Sequence, residues 1–253
     1  MIITVSNQKG GVGKTTTSAA LAAGLSMAGK KVLCIDLDPQ GNLGFCMGLD
    51  AESGYTVLDA LKGEVPVGDA VLKTELCDLL SSDITLSSSG LEEVRREHRE
   101  SILRDMLDPI LKDYDYVVID TPPALNLLTV NAYAVSDYLI IPMASDILSL
   151  VGLSQLRETV ETVKGQLNPD LKVMGILLTR YNGRTCLARD VQEMAGQLAM
   201  QMNTQVFASK IRNGVAIAEA PAHGESIFTY NPRSAAVRDY SEFVQEVARI
   251  IGL

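Results

Sequence analysis

The nine residues Gln8-Lys9-Gly10-Gly11-Val12-Gly13-Lys14-Thr15-Thr16 constrain this chain more than any other stretch. They stand directly between an apolar run, Ile2 to Ser6, and an alanine-rich helical pattern at about 15 to 29. A strict phosphate loop reads GxxxxGK[ST] between a strand and a helix. Here Gln8 takes the first glycine position, and the terminal Gly13-Lys14-Thr15 is intact. Glycines let backbone amides turn inward around a polyphosphate, and the start of the following helix adds a favourable dipole. Lys14 then reaches the β and γ phosphates, and the Thr15 hydroxyl is placed to bind Mg²⁺. A glycine-rich turn without a ligand is the competing reading, and the register of strand, loop and helix counts against it.

The rest of the chain repeats this alternation. Ile2 to Ser6, Lys31 to Ile35, Tyr116 to Ile119, Tyr138 to Pro142 and Val173 to Leu178 read as strands. Helical patterns lie between them at about 15 to 29, 91 to 112, 124 to 135, 149 to 166, 185 to 202 and 234 to 251. Near-continuous apolar strands alternating with amphipathic helices predict an α/β fold, a mostly parallel twisted sheet with helices on both faces. With no repeat and no long Pro/Gly/Ser linker, residues 1 to 253 are expected to form a single P-loop NTPase domain. Segment 50 to 90 is the least regular, and the polar stretch Ser81 to Gly90 is expected to be surface connection.

Two further motifs deliver carboxylates to the same edge of that sheet, where ligands of open α/β folds bind. Asp36 and Asp38 end the second strand in Asp36-Leu37-Asp38-Pro39-Gln40-Gly41-Asn42, on one side if the chain stays extended. Turn or cap residues are the other reading of the pair. Tyr116-Val117-Val118-Ile119-Asp120-Thr121-Pro122-Pro123 carries a third carboxylate, Asp120, which typically holds Mg²⁺ through water in such proteins, complementing Thr15. Asp120 as the cap of the next helix is the alternative.

Composition narrows the partners. No apolar run approaches the roughly 18 to 20 residues of a membrane span, and the sequence opens on a strand without a leader pattern, so a cytoplasmic protein is expected. Cys34, Cys46, Cys77 and Cys186 have no metal-ligand spacing and read as buried, reduced thiols. The formal charge of −9 is uneven: residues 1 to 179 carry 14 Lys+Arg against 24 Asp+Glu, and residues 180 to 253 carry 8 against 7. The acidity therefore sits in the first part, and the last third is about neutral.

The Lys9-Gly10-Gly11-Val12-Gly13-Lys14-Thr15-Thr16 loop, with two lysines, resembles the deviant Walker A class. Together with DLDPQGN, YVVIDTPPALNLLTVNA, LLTRYNGRT and IAEAPAHGESIFTYNPRS, it resembles the ParA/Soj partition proteins of the ParA/MinD superfamily over nearly the whole chain. The resemblance implies an ATP-dependent homodimer with ATP sandwiched between subunits, and slow Mg²⁺-dependent hydrolysis to ADP and phosphate, stimulated by a ParB-like activating protein. The ATP form would bind non-specific DNA, making it nucleoid-associated, without a membrane partner. It implies that Lys9 crosses to the nucleotide of the partner subunit, that Asp38 orients the attacking water, and that Asp36 supports the Lys9 and metal region. By charge alone Lys9 is equally a solvated loop residue.

In that family the adenine is held near Arg180 to Asn182 and near Ile211, Arg212 and Asn213. Two positions depart: Arg212 replaces a family proline, and Ala216 replaces an arginine linked to DNA binding. Candidate compensating basic residues are Arg180, Arg184, Arg189, Lys210, Arg212, Arg233 and Arg238.

Three alternatives follow from the shared loop. A MinD-like membrane-positioning ATPase calls for a basic amphipathic C-terminal helix, whereas Ser234 to Leu253 carries Arg238 and Arg249 against Asp239, Glu242 and Glu246. Its Val237, Tyr240, Phe243, Val244, Val247 and Ile251 stripe is expected to pack on the sheet. An iron–sulfur role lacks any cysteine between Cys77 and Cys186. A metabolic ATP-dependent ligase or synthetase is the alternative of a different class.

Overall fold

Strands form where β-branched apolar residues run unbroken. The computed structural model describes residues 1–48, 54–87, 94 and 99–253. Its strands are β1 (Ile2–Val5), β2 (Val32–Asp36), β3 (Val71–Leu72), β4 (Asp78–Leu80), β5 (Tyr116–Asp120), β6 (Tyr138–Ala144) and β7 (Lys172–Thr179). They make one sheet in the order β3-β4-β2-β5-β1-β6-β7. All neighbours are parallel except the β3–β4 edge pair. The expected mostly parallel α/β sheet is therefore present.

Alternation along each strand divides the interior into two cores. Leu33, Ile35, Val117 and Ile119 face one, while Val32, Cys34, Tyr116 and Val118 face the other. The helices are α1 (Lys14–Met27), α2 (Asn42–Cys46), α3 (Val57–Lys62), α4 (Val67–Ala70), α5 (Ile102–Leu107), α6 (Leu127–Val135), α7 (Ile147–Gln166), α8 (Cys186–Gln201), α9 (Val215–Ala222), α10 (Ile227–Tyr230) and α11 (Ala235–Ile250). Residues of α3, α5, α6, α7 and α8 fill the first core, and those of α1, α2, α9, α10 and α11 the second.

The helix expected at 91 to 112 is only partly confirmed. Residues 91–93 and 95–98 lie outside the described residues, and beyond them α5 sits between short 3-10 turns at Arg99–Ser101 and Leu111–Asp113. Strands β3 and β4 were hidden in the irregular segment because two or three residues carry no readable period. The start of the polar stretch is not surface connection: Ser81 and Ser82 are buried, Val57 N–H donates to the Ser81 carbonyl at 2.8 Å, and Ser82 Oγ donates to the Asp38 carbonyl. These serines are drawn inward because they satisfy backbone groups that would otherwise be orphaned.

Helix α11 spends its apolar stripe inside. Val237, Tyr240, Phe243, Val244 and Val247 are buried, and Ile251 packs partly buried beside them. Gly24 of α1 makes the close approach possible, since a Cβ there would lie 2.6 Å from Val244 Cγ1. Among the described residues no helix is long and apolar enough to cross a membrane. The cysteine expectation needs one correction. Cys34 and Cys77 are buried and Cys46 is half-buried, but Cys186 is exposed because it is the first residue of α8, just past its N-cap Thr185.

Candidate nucleotide site

The phosphate loop is shaped by two left-handed glycines, Gly11 at φ 72° and Gly13 at φ 87°. Gly13 is also the N-cap of α1 and offers it no side chain. The first bond into the helix runs from Thr17 N–H to the Gly13 carbonyl at 2.9 Å. The amides before Thr17 have no partner in the helix itself, an arrangement that suits an anion. Both flanks are pinned. Asn7 Nδ2 donates to the Pro142 carbonyl at 2.7 Å while its Oδ1 accepts from Lys9 N–H at 2.9 Å. On the other side Thr179 Oγ1 donates to the Val12 carbonyl at 2.8 Å. Lys14 is buried, and its Nζ donates to the Lys9 carbonyl at 3.2 Å. Burial lowers its pKa, opposed by the charges of Asp120 and Asp38.

Strand register brings the carboxylates together. Asp120 is the cross-strand partner of both Val5 and Asp36. It is fully buried, its Oδ1 lies 3.0 Å from Ser18 Oγ, and its Oδ2 has no hydrogen-bond partner among the described residues. Burial lifts its pKa to about 6, against the Thr15 and Ser18 hydroxyls and the charge of Lys14. A buried, half-satisfied carboxylate beside a threonine hydroxyl fits a divalent cation or its water. Asp120 does not cap the next helix: that cap is Asn126, whose Oδ1 accepts from Thr129 N–H at 3.1 Å, which is why α6 starts three residues later than expected.

Asp36 and Asp38 do not share a side, because β2 ends at Asp36 and the chain turns. Asp36 is buried and accepts Asp38 N–H at 2.9 Å on one oxygen and Leu43 N–H at 3.0 Å on the other. Burial and the neighbouring Asp120 hold its pKa well above the carboxylate range, with those two amides opposing. It is a staple for the loop that carries Asp38. Asp38 is half-buried, lines the cleft over the phosphate loop, and accepts Gln40 N–H at 3.0 Å.

Lys9 is held within its own chain. Its Nζ donates to Asp146 Oδ1 at 2.6 Å, to Oδ2 at 2.8 Å and to Ser149 Oγ at 3.1 Å. Asp146 is the N-cap of α7 and accepts Ser149 N–H at 2.9 Å. Burial raises the pKa of that carboxyl, but Lys9 and the Ser149 donors together bring it below its ordinary value.

The far wall of the cleft is formed by Arg180, Ile211, Arg212, Asn213 and Tyr240. Ile211 N–H donates to the Leu178 carbonyl at 2.8 Å and its own carbonyl accepts Tyr181 N–H at 2.9 Å. Arg212 is forked onto buried Asp239, Nε to Oδ2 and Nη2 to Oδ1 both at 2.7 Å. Asn182 stands outside this wall, its Oδ1 accepting Arg184 N–H at 3.2 Å. Gly10, Val12, Thr15 and Thr16 line the near side with the other loop residues.

Of the candidate DNA residues, Arg180 and Arg212 line the cleft, Lys210 Nζ lies 5.3 Å over the Tyr181 ring, and Arg184, Arg189, Arg233 and Arg238 are exposed. Sequence reading missed Asn7, Ser18, Asp146, Thr179 and Asp239. Only two of them carried a readable signal, Ser18 one turn after Lys14 and Asp146 opening the cap pattern Asp146-Ile147-Leu148-Ser149.

Parallel sheet, phosphate loop and buried carboxylates at the strand ends together define a P-loop nucleoside triphosphatase fold. A family model described as an AAA domain matches residues 1–173. The chromosome partitioning protein ParA of Myxococcus xanthus is 39% identical over 251 residues, spanning 98% of this chain and 88% of that protein. The sporulation initiation inhibitor protein Soj of Bacillus subtilis is 40% identical over 250 residues, 98% of each. A solved structure of cobyrinic acid a,c-diamide synthase from Mycobacterium smegmatis, with bound ADP and magnesium, superimposes with a TM-score of 0.83 at 33% identity, over 98% of this chain and 94% of that one. The chain belongs to the ParA/Soj family.

Proposed function

We propose that the chain is an ATP-driven switch for plasmid or chromosome partition. Two subunits close on ATP, the closed dimer holds DNA without sequence preference, and hydrolysis stimulated by a ParB-like partner releases it. The observation that carries this reading is the pair of lysines on one loop. Lys14 lies buried against the loop it serves, while Lys9 is held part-exposed by Asp146, a partner it would exchange for the nucleotide of the other subunit. Lys14, the loop amides and Thr15 hold the phosphates, Asp38 orients the attacking water, and Asp36 fixes the Asp38 loop. Thr15 and Asp120 would hold Mg²⁺, which when bound neutralises phosphate charge. Ile211, Arg212 and Asn213, which line the same cleft, would take the base.

The test compares ATP and ADP forms on duplex DNA of unrelated sequences by fluorescence anisotropy. Binding by the ATP form alone, falling steeply with salt, supports the switch; equal binding by both forms, or none at low salt, refutes it. The likeness to the cobyrinic acid a,c-diamide synthase supports a second reading, an ATP-dependent synthetase. A small acid that accelerates ATP turnover in the absence of DNA and protein partners would favour it.

A further inference from the structure

Arg180 follows β7 with φ 50°, a left-handed backbone that is strained for an L-residue. Its neighbours impose that turn: Thr179 is tied to Val12 through Oγ1, the Thr179 carbonyl accepts Ser145 N–H at 3.2 Å, and Tyr181 N–H is taken by Ile211 at 2.9 Å. The turn sends the side chain over the phosphate loop. Arg180 Nη2 lies 3.6 Å from where a Cβ on Gly11 would stand, and both residues line the cleft.

No carboxylate meets this guanidinium, and among the described residues it makes no ion pair or side-chain hydrogen bond. Arg212 in the same wall is different, for its donors are forked onto Asp239. A guanidinium presents a planar set of donors that matches phosphate oxygens in pairs. Lys14 lines the same cleft, so two cationic side chains face one space over the phosphate loop, and their complement is a polyphosphate.

We propose that Arg180 is a nucleotide-binding residue that donates to the polyphosphate of ATP above Gly11, and is not part of a DNA surface. The inference rests on the ATP reading given above. Two variants test it. Arg180→Met keeps the reach of the side chain without its donors, and Arg180→Gly also accepts the positive φ without strain. Each is titrated with ATP and with adenosine in Mg²⁺ buffer, alongside nucleotide-free melting curves. Loss of a charge-assisted contact predicts an ATP affinity about ten- to a hundredfold weaker in both variants, unchanged adenosine binding, and an Arg180→Gly melting temperature at or above that of wild type.

ATP affinity within about twofold of wild type in either variant overturns the proposal, and so does an equal loss for adenosine and ATP, which would make Arg180 a base-side wall. A selective fall in DNA binding with ATP binding intact also overturns it and assigns Arg180 to DNA. Wild type that binds ATP no better than Lys14→Ala would instead bring down the ATP reading itself.

Discussion

Asp146→Asn isolates the contact that keeps Lys9 at home. Asparagine still accepts the Ser149 amide, so the α7 cap survives, while the charge facing Lys9 is lost. Side chains of the pair are 30% and 41% exposed, which places the ion pair at about 0.5–1 kcal/mol after solvent screening. If both lysines of an ATP dimer leave Asp146, closing the dimer costs about 1–2 kcal/mol, and the variant escapes it. Its dimer dissociation constant in ATP is then about five- to thirtyfold lower than that of wild type, since about 1.4 kcal/mol is tenfold. Equilibrium sedimentation at moderate salt measures it, and the difference shrinks as salt rises. A variant that binds ATP normally yet dimerises no better, or worse, would refute the reasoning, because Lys9 would then not be exchanged between the two sites.

Three further outcomes are expected. Lys14→Ala loses nucleotide binding by equilibrium titration, since the charge it would bring to the β and γ phosphates has no substitute in the loop; unchanged affinity would refute the assignment. Asp38→Ala stops phosphate release while light scattering with ATP still reports a dimer; residual hydrolysis near the wild-type rate would make Asp38 only a turn residue. Asp120→Asn abolishes Mg²⁺-dependent hydrolysis but stabilises the nucleotide-free protein. The folded pKa of about 6 lies above the unfolded value near 4, so burying the ionised carboxylate destabilises the protein fully above pH 6 and not at all below about pH 4. Denaturant unfolding at pH 7.5 should show a gain of about 1–3 kcal/mol that disappears towards pH 4.

Much of this site was legible because its parts are local. Five strands showed as apolar runs, and Lys14, Asp36 and Asp120 followed from where those runs stop. What was not legible depends on distance or on backbone angle. Asp146 meets Lys9 across 137 residues, and nothing in its own neighbourhood marks it as more than a cap. Arg180 stood in the sequence both as a DNA candidate and beside an adenine-holding segment, and its positive φ and nearness to Gly11 exist only in three dimensions. Asp36 and Asp38 looked alike in the sequence, yet the end of β2 falls between them and gives one to the core and the other to the cleft.

Helix α11 places an order on how the molecule can be made. Tyr240 OH meets Thr17 Oγ1 at 3.2 Å, Asp239 holds Arg212, and Glu246 accepts from Ala208 N–H at 2.7 Å and from Ser209 N–H at 2.9 Å. The phosphate loop and α1 are local in sequence, but the Thr17–Tyr240 contact closes over 223 residues. Contacts of such long range are the slowest to form. The wall that α11 lends to the phosphate-loop cleft therefore closes only after distant parts of the chain have met, so the shape of the cleft is fixed late in folding.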